Sequence, residues 1–108
     1  MIVDMRTYTI KPGRTEELIR LFTDHGLPLY QKYCGSLVGY YTSESGTLNQ
    51  VVHLWAYRDV LDREVRRARL AEDPLWRVYL DQSLPLVEHQ ESRILRPTSF
   101  SPTIELAE

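Results

Sequence analysis

The chain has a single cysteine, Cys34, and no apolar run near the roughly 18 residues that a membrane-spanning helix requires. A lone cysteine closes no internal disulfide, so folding does not depend on oxidation. Basic excess is missing too: 13 Lys and Arg stand against 15 Asp and Glu, a formal net charge of −2. That argues against a nucleic-acid-binding domain, which needs an electropositive footprint. There is no internal repeat, no Gly-rich phosphate loop, no Ser-His-Asp set and no pair of catalytic carboxylates. His25, His53 and His89 fall on different elements without HxH or HxxxH spacing, so no metal site and no cofactor are expected. The start, MIVDMRTYTI, is strand-like and shows neither a signal-peptide h-region nor an Arg/Ser-rich transit segment. The expectation is a cytoplasmic protein without nucleic-acid or membrane partners.

What is present suits one domain over residues 1–108, with an irregular tail from residue 96. Ile2 to Ile10 is rich in Ile, Val, Thr and Tyr and reads as a strand. After the Lys11-Pro12-Gly13-Arg14 turn, Thr15 is expected to cap a helix reaching about Cys34, kinked or split at Gly26-Leu27-Pro28. Ser36 to Thr42 is a second strand. Glu44-Ser45-Gly46-Thr47 is expected as a tight turn into a third strand ending at Tyr57, with the hairpin register left open. A helix follows from Arg58, where Asp59 with Arg63 and Asp62 with Arg66 stand four apart and can pair. Asp73-Pro74 starts another helical segment, and Val87 to Leu95 reads as a last strand. The order β-α-β-β-α-β predicts an α+β, ferredoxin-like subunit: an antiparallel sheet, the first and third strands central, helices on one face.

Side chains on a strand alternate between faces, so the third strand has two. Val52, Leu54 and Ala56, with Val3 and Met5 of the first strand, are expected beneath the helices. The opposite face would carry Asp4, Arg6 and Tyr8 beside Asn49, His53, Trp55 and Tyr57. Aromatic surface on that scale is rarely left in water, so a second copy of the sheet is expected to cover it. The subunit would then pair into a dimeric α/β barrel with a polar, aromatic interior.

The pieces MRTYTIKPG, GTLNQVVHLWAYRDVLDRE, DPLWRVY, QESRILRP and SFSP, in that order, resemble the NIPSNAP family over nearly the whole chain. The resemblance implies a dimeric α/β barrel of ferredoxin-like subunits. It implies little about chemistry: animal members are associated with scaffolding, and other proteins of this barrel include monooxygenases and isomerases.

His53 leads the candidate residues, either as a hydrogen-bonded structural histidine or as a ligand-binding or proton-transferring (catalytic) group. Arg6 on the neighbouring strand needs an anion, which could be Asp4, Glu91 or a ligand. Tyr8, Trp55 and Tyr57 would form aromatic walls, and Asn49 either holds backbone or orients a ligand carbonyl. Cys34, at a helix end, reads as a small apolar residue, and the arginines of Arg63 to Arg69 as a paired, solvated helix face. Two functions survive. One is a homodimeric binder of a small apolar or aromatic molecule inside the barrel. The other is a cofactor-light isomerase or monooxygenase using the same cavity, with an interaction scaffold as a third, implied only by the resemblance.

Overall fold

The computed structural model describes residues 1–106; the last two residues of the expected tail lie outside the described residues. Four strands, β1 (Ile2–Ile10), β2 (Ser36–Thr42), β3 (Gln50–Tyr57) and β4 (Val87–Leu95), form one antiparallel sheet in the order β2-β3-β1-β4. The helices are α1 (Thr15–Leu21), α2 (Leu27–Tyr33), α3 (Val60–Glu72) and α4 (Pro74–Ser83). This is the ferredoxin-like subunit expected, with β1 and β3 at its centre.

Local details differ from the sequence reading. Thr15 is the first helical residue rather than the cap, which is Arg14 without a capping side chain. Between α1 and α2 the chain keeps turning through a wide π-type turn, Phe22–Gly26. Pro28 has no N–H and its ring would crowd the carbonyl four residues back, so a wider turn absorbs it without breaking the helix. Gly26 fits there because a Cβ would stand 2.6 Å from Phe22 Cδ1 and 2.9 Å from Tyr79 Cζ. The β2–β3 connection is a loop over residues 43–49, not a four-residue turn. Gly46 and Asn49 both take left-handed backbone there, at φ 78° and 60°. The Ser43 and Gln50 backbones close the loop, Ser43 N–H donating to the Gln50 carbonyl at 2.9 Å. Register is thereby fixed, with His53 between Arg6 on one side and Tyr40 on the other.

The faces are the reverse of those expected. Asp4, Arg6 and Tyr8, with Val51, His53, Trp55 and Tyr57, lie under the helices. Val3, Met5, Val52, Leu54 and Ala56 point to the other side of the sheet. The reason lies in the helices, whose inward faces are aromatic. Tyr30 of α2 meets Trp55 edge-on at 4.7 Å between ring centres, and Phe22 reaches Tyr40 at 5.1 Å. An aromatic sheet face matches that layer better than small aliphatics would.

Asp4 ties the two layers together. It is wholly buried, yet its carboxylate accepts from Ser92 Oγ of β4 at 2.6 Å, Arg63 Nε of α3 at 2.9 Å and Arg6 Nη1 at 3.2 Å. Burial works against its charge, and these donors outweigh it, holding its pKa below the ordinary carboxylate range. Arg63 therefore pairs with Asp4, not with Asp59, which instead caps α3 by accepting from Asp62 N–H at 2.7 Å. The expected Asp62–Arg66 pair forms at 2.8 Å. Asp4→Ala should lower unfolding free energy by about 3–5 kcal/mol, because it strands two guanidinium groups against the sheet. Urea denaturation checks this, and a loss under about 1 kcal/mol would contradict the role given to Asp4.

Candidate functional site

Between the sheet and the helices lies a cavity of about 260 Å³. Its floor is Arg6 and Tyr8 of β1 with His53 of β3; Phe22, Tyr30 and Tyr79 supply part of its aromatic wall. Arg67 of α3 enters from the side, and Ser83, Leu84 and Gln90 border it elsewhere. This cavity lies between the sheet and the helices of one chain, not on the other face of the sheet where the sequence reading put the polar interior.

His53 is 1% exposed and packed on every side by rings. Tyr40 stacks on it at 4.6 Å between centres, and Tyr8 meets it edge-on at 5.0 Å. Its Nδ1 accepts the indole N–H of Trp55 at 2.7 Å. Indole nitrogen can only donate, so Nδ1 must present a lone pair, and in the neutral ring the proton sits on Nε2. Burial drives the imidazole pKa down from 6.5 to about 3, with Arg6 and Arg67 adding to the effect and Asp4 opposing it. His53 is therefore neutral at physiological pH and offers an N–H. That Nε2 has no hydrogen-bond partner.

The arginines differ in how they are compensated. Arg6 donates through Nε to Tyr8 Oη at 2.8 Å and through Nη1 to Asp4. Arg67 donates through Nη1 to Tyr30 Oη at 3.2 Å and lies 5.9 Å from the centre of that ring. Among the described residues Arg67 has no carboxylate partner, and no Asp or Glu borders the cavity. Burial pushes Tyr30 and Tyr40 upward and Tyr79 to about 12, so these three are protonated.

Of the residues singled out from sequence, Arg6, Tyr8 and His53 come together at the cavity. Trp55 stands behind His53 and fixes its tautomer rather than lining the space. Tyr57 is buried further along β3, beside Cys34 and Gly35. Asn49 lies in the loop, where its carbonyl accepts from Ile10 N–H at 2.7 Å, so its role is in the backbone. Glu91 takes Arg93 at 2.7 Å and leaves Arg6 to Asp4. Cys34 is buried and its thiol is pushed up by that burial, which suits a packing role. Sequence reasoning missed Arg67, Phe22, Tyr30, Tyr40 and the α4 residues Trp76 and Tyr79. The available signal was on α3: Arg63, Arg67 and Leu70 recur at i, i+4 and i+7, one inward stripe. No cluster of three His, Cys, Asp or Glu side chains suited to a metal occurs among the described residues. No helix among them is long and apolar enough to cross a membrane.

A NIPSNAP family model matches residues 3–102. The chain belongs to the NIPSNAP family. It is 33% identical to the zebrafish (Danio rerio) protein NipSnap homolog 2 over 101 residues, 94% of this chain but 35% of that protein. It thus spans about a third of the length of the curated relatives it matches. A NIPSNAP domain protein from Burkholderia xenovorans superimposes with a TM-score of 0.91 at 44% identity, covering 95% of this chain and all of that one. A NIPSNAP family protein from Agrobacterium tumefaciens gives 0.92 at 38% identity, covering 96% and 94%. A putative antibiotic biosynthesis monooxygenase from Nitrosomonas europaea shares the fold, at a TM-score of 0.67 and 15% identity over 90% of this chain and 98% of that one.

The depressed His53 pKa makes stability depend on pH. Between about pH 6.5 and 3 the unfolded chain binds a proton that the folded chain refuses. Stability is therefore fully present above pH 6.5 and falls as pH drops, by up to about 1.4 kcal/mol per pH unit. Chemical denaturation at pH 7, 6 and 5 should show this slope, and His53→Gln should flatten it. An unchanged slope in His53→Gln would contradict a buried, neutral histidine.

Proposed function

We propose that this NIPSNAP-family protein binds a small apolar or aromatic molecule with a polar handle in the cavity between its sheet and helices. One observation carries the reading: the buried, partnerless Nε2 of His53, a residue that lines a cavity walled largely by aromatic side chains. A buried donor without an acceptor costs about 1–3 kcal/mol. A ligand acceptor placed there would relieve that cost, and converging polar groups in an apolar cleft are the usual form of a ligand site. The binder is favoured over an isomerase or monooxygenase by the chemistry of the lining. Proton abstraction needs a free base, but the lone pair of His53 is engaged by Trp55, and Tyr30, Tyr40 and Tyr79 are protonated.

The protein acts in this reading as a homodimer joined through the other sheet face. On that face β1 and β3 place Val3, Met5, Thr7 and Thr9 beside Gln50, Val52, Leu54 and Ala56, with no charge among them. Tyr41 of β2 projects from the same face and is 58% exposed. A second copy would cover this face as an isologous pair.

Ligand-observed NMR against a library of one- and two-ring compounds tests the pocket. Leu84 lies at the cavity's exposed rim, so Leu84→Trp should block binding without unfolding the protein. Compounds that bind equally well to Leu84→Trp would place the site elsewhere. Light scattering tests the assembly: the parent chain should be dimeric at micromolar concentration and Leu54→Asp monomeric, since a pair of buried, unpaired charges opposes association. A monomeric parent chain contradicts the dimer and leaves the pocket untouched.

A further inference from the structure

The charges around the cavity do not balance. Asp4 is one negative charge serving both Arg6 and Arg63, and Arg67 adds a third positive charge with only a phenol as partner. The donors do not balance either. Arg6 uses Nε and Nη1 on protein groups, leaving Nη2; Arg67 uses Nη1, leaving Nε and Nη2. His53 contributes its partnerless Nε2–H. The wall opposite is aromatic, with Trp76 stacked on Tyr79 at 5.2 Å between ring centres. About 260 Å³ is room for about nine waters at roughly 30 Å³ each, the scale of a one- or two-ring molecule.

Building on the pocket reading above, we propose that the ligand is an apolar carboxylate, its ring body against the aromatic wall and its carboxylate facing Arg6, Arg67 and the His53 Nε2–H. A carboxylate has two oxygens and about four lone-pair sites, which suits donors arriving from two strands and a helix. It also supplies the negative charge that the three arginines and one aspartate lack. A neutral ligand of the same shape would accept from His53 and leave Arg67 uncompensated. Arg67 is thus the residue that sets specificity for the anion, because Arg6 already has Asp4.

The test compares 2-naphthoate with 2-naphthamide, which share size and ring system and differ in charge. Titrations followed by ligand-observed NMR or calorimetry should show naphthoate binding at least tenfold more tightly. Arg67→Met should erase most of that preference, and Arg67→Lys should restore part of it. Equal affinity of the two compounds, or a preference that survives Arg67→Met, overturns the proposal while the pocket itself stands. Failure of both compounds to bind at millimolar concentration, with the fold intact, sinks the carboxylate proposal, and failure of the whole ring library sinks the pocket reading with it.

Discussion

The buried carboxylate of Asp4 is the constraint on which the rest depends. It sits in a central strand, and its three donors come from β4, α3 and its own strand. A fully buried carboxylate is tolerable only when hydrogen-bonded and paired, so these partners cannot be separated without a large cost. Through Arg63 it sets how α3 lies across the sheet. That position brings Arg67, one turn further on, over Tyr30 and to the cavity. Through Arg6 it fixes the guanidinium beside Tyr8. One carboxylate thereby arranges both arginines of the candidate site.

A second consequence concerns the division of the sheet into faces. The helix-side face is aromatic and polar, and hydrogen bonds join Asp4 to Arg6, Arg6 to Tyr8 and Trp55 to His53 there, while His53 Nε2 and Tyr57 Oη have no hydrogen-bond partner. The opposite face of the central strands mixes aliphatic residues with Thr7, Thr9 and Gln50 and is free of charge. Polar groups were placed where helices could supply matching donors and rings. On β4 that opposite face carries Glu91 and Arg93, which pair with each other and flank an uncharged centre that another copy of the chain could cover. This is the opposite of the simpler arrangement, in which aliphatic residues go beneath helices and polar ones outward, and it leaves a cavity where imperfectly complementary rings meet.

Much of the fold was legible in the sequence. The bounds of β1 and β2 follow from β-branched and aromatic runs beside Pro and Gly, β4 was placed by Pro85 and Pro97 in spite of its poor alternation, and the order of elements gave the sheet topology. The family resemblance carried by the LNQVVHLWAY stretch pointed the same way. The assignment of faces was not legible, because alternation reveals that two faces differ but not which one meets the helices. That depends on side chains distant in sequence, Phe22, Tyr30 and Tyr79, whose own partners are unknown until the sheet is built. Arg6, Tyr8 and His53 were found because they alternate on paired central strands. Arg67 was not, because on α3 it is surrounded by acids and other arginines and reads as surface charge. The i, i+4, i+7 stripe of Arg63, Arg67 and Leu70 marks one helix face, but that this face turns inward is fixed by the Arg63–Asp4 pair, a contact spanning 59 residues.

The arginines and His53 of the cavity lining are left with donors only, since Tyr8 and Tyr30 already accept from the arginines. Trp55 occupies the basic nitrogen of His53, burial keeps Tyr30 and Tyr40 as phenols, and the arginines can do nothing but donate. Such a lining is unfavourable when empty, since donors and positive charge in a low-dielectric space go unanswered. A packed aliphatic core in the same place would cost less, so these residues lower the stability of the free subunit. An occupant that supplies acceptors and negative charge binds the folded state alone, and by linkage it raises stability as its concentration exceeds its dissociation constant. The same groups that weaken the free domain would then define what it holds. His53 is the clearest case: Trp55 removes it as a base and, by the same hydrogen bond, aims its one proton-bearing nitrogen at whatever accepts there.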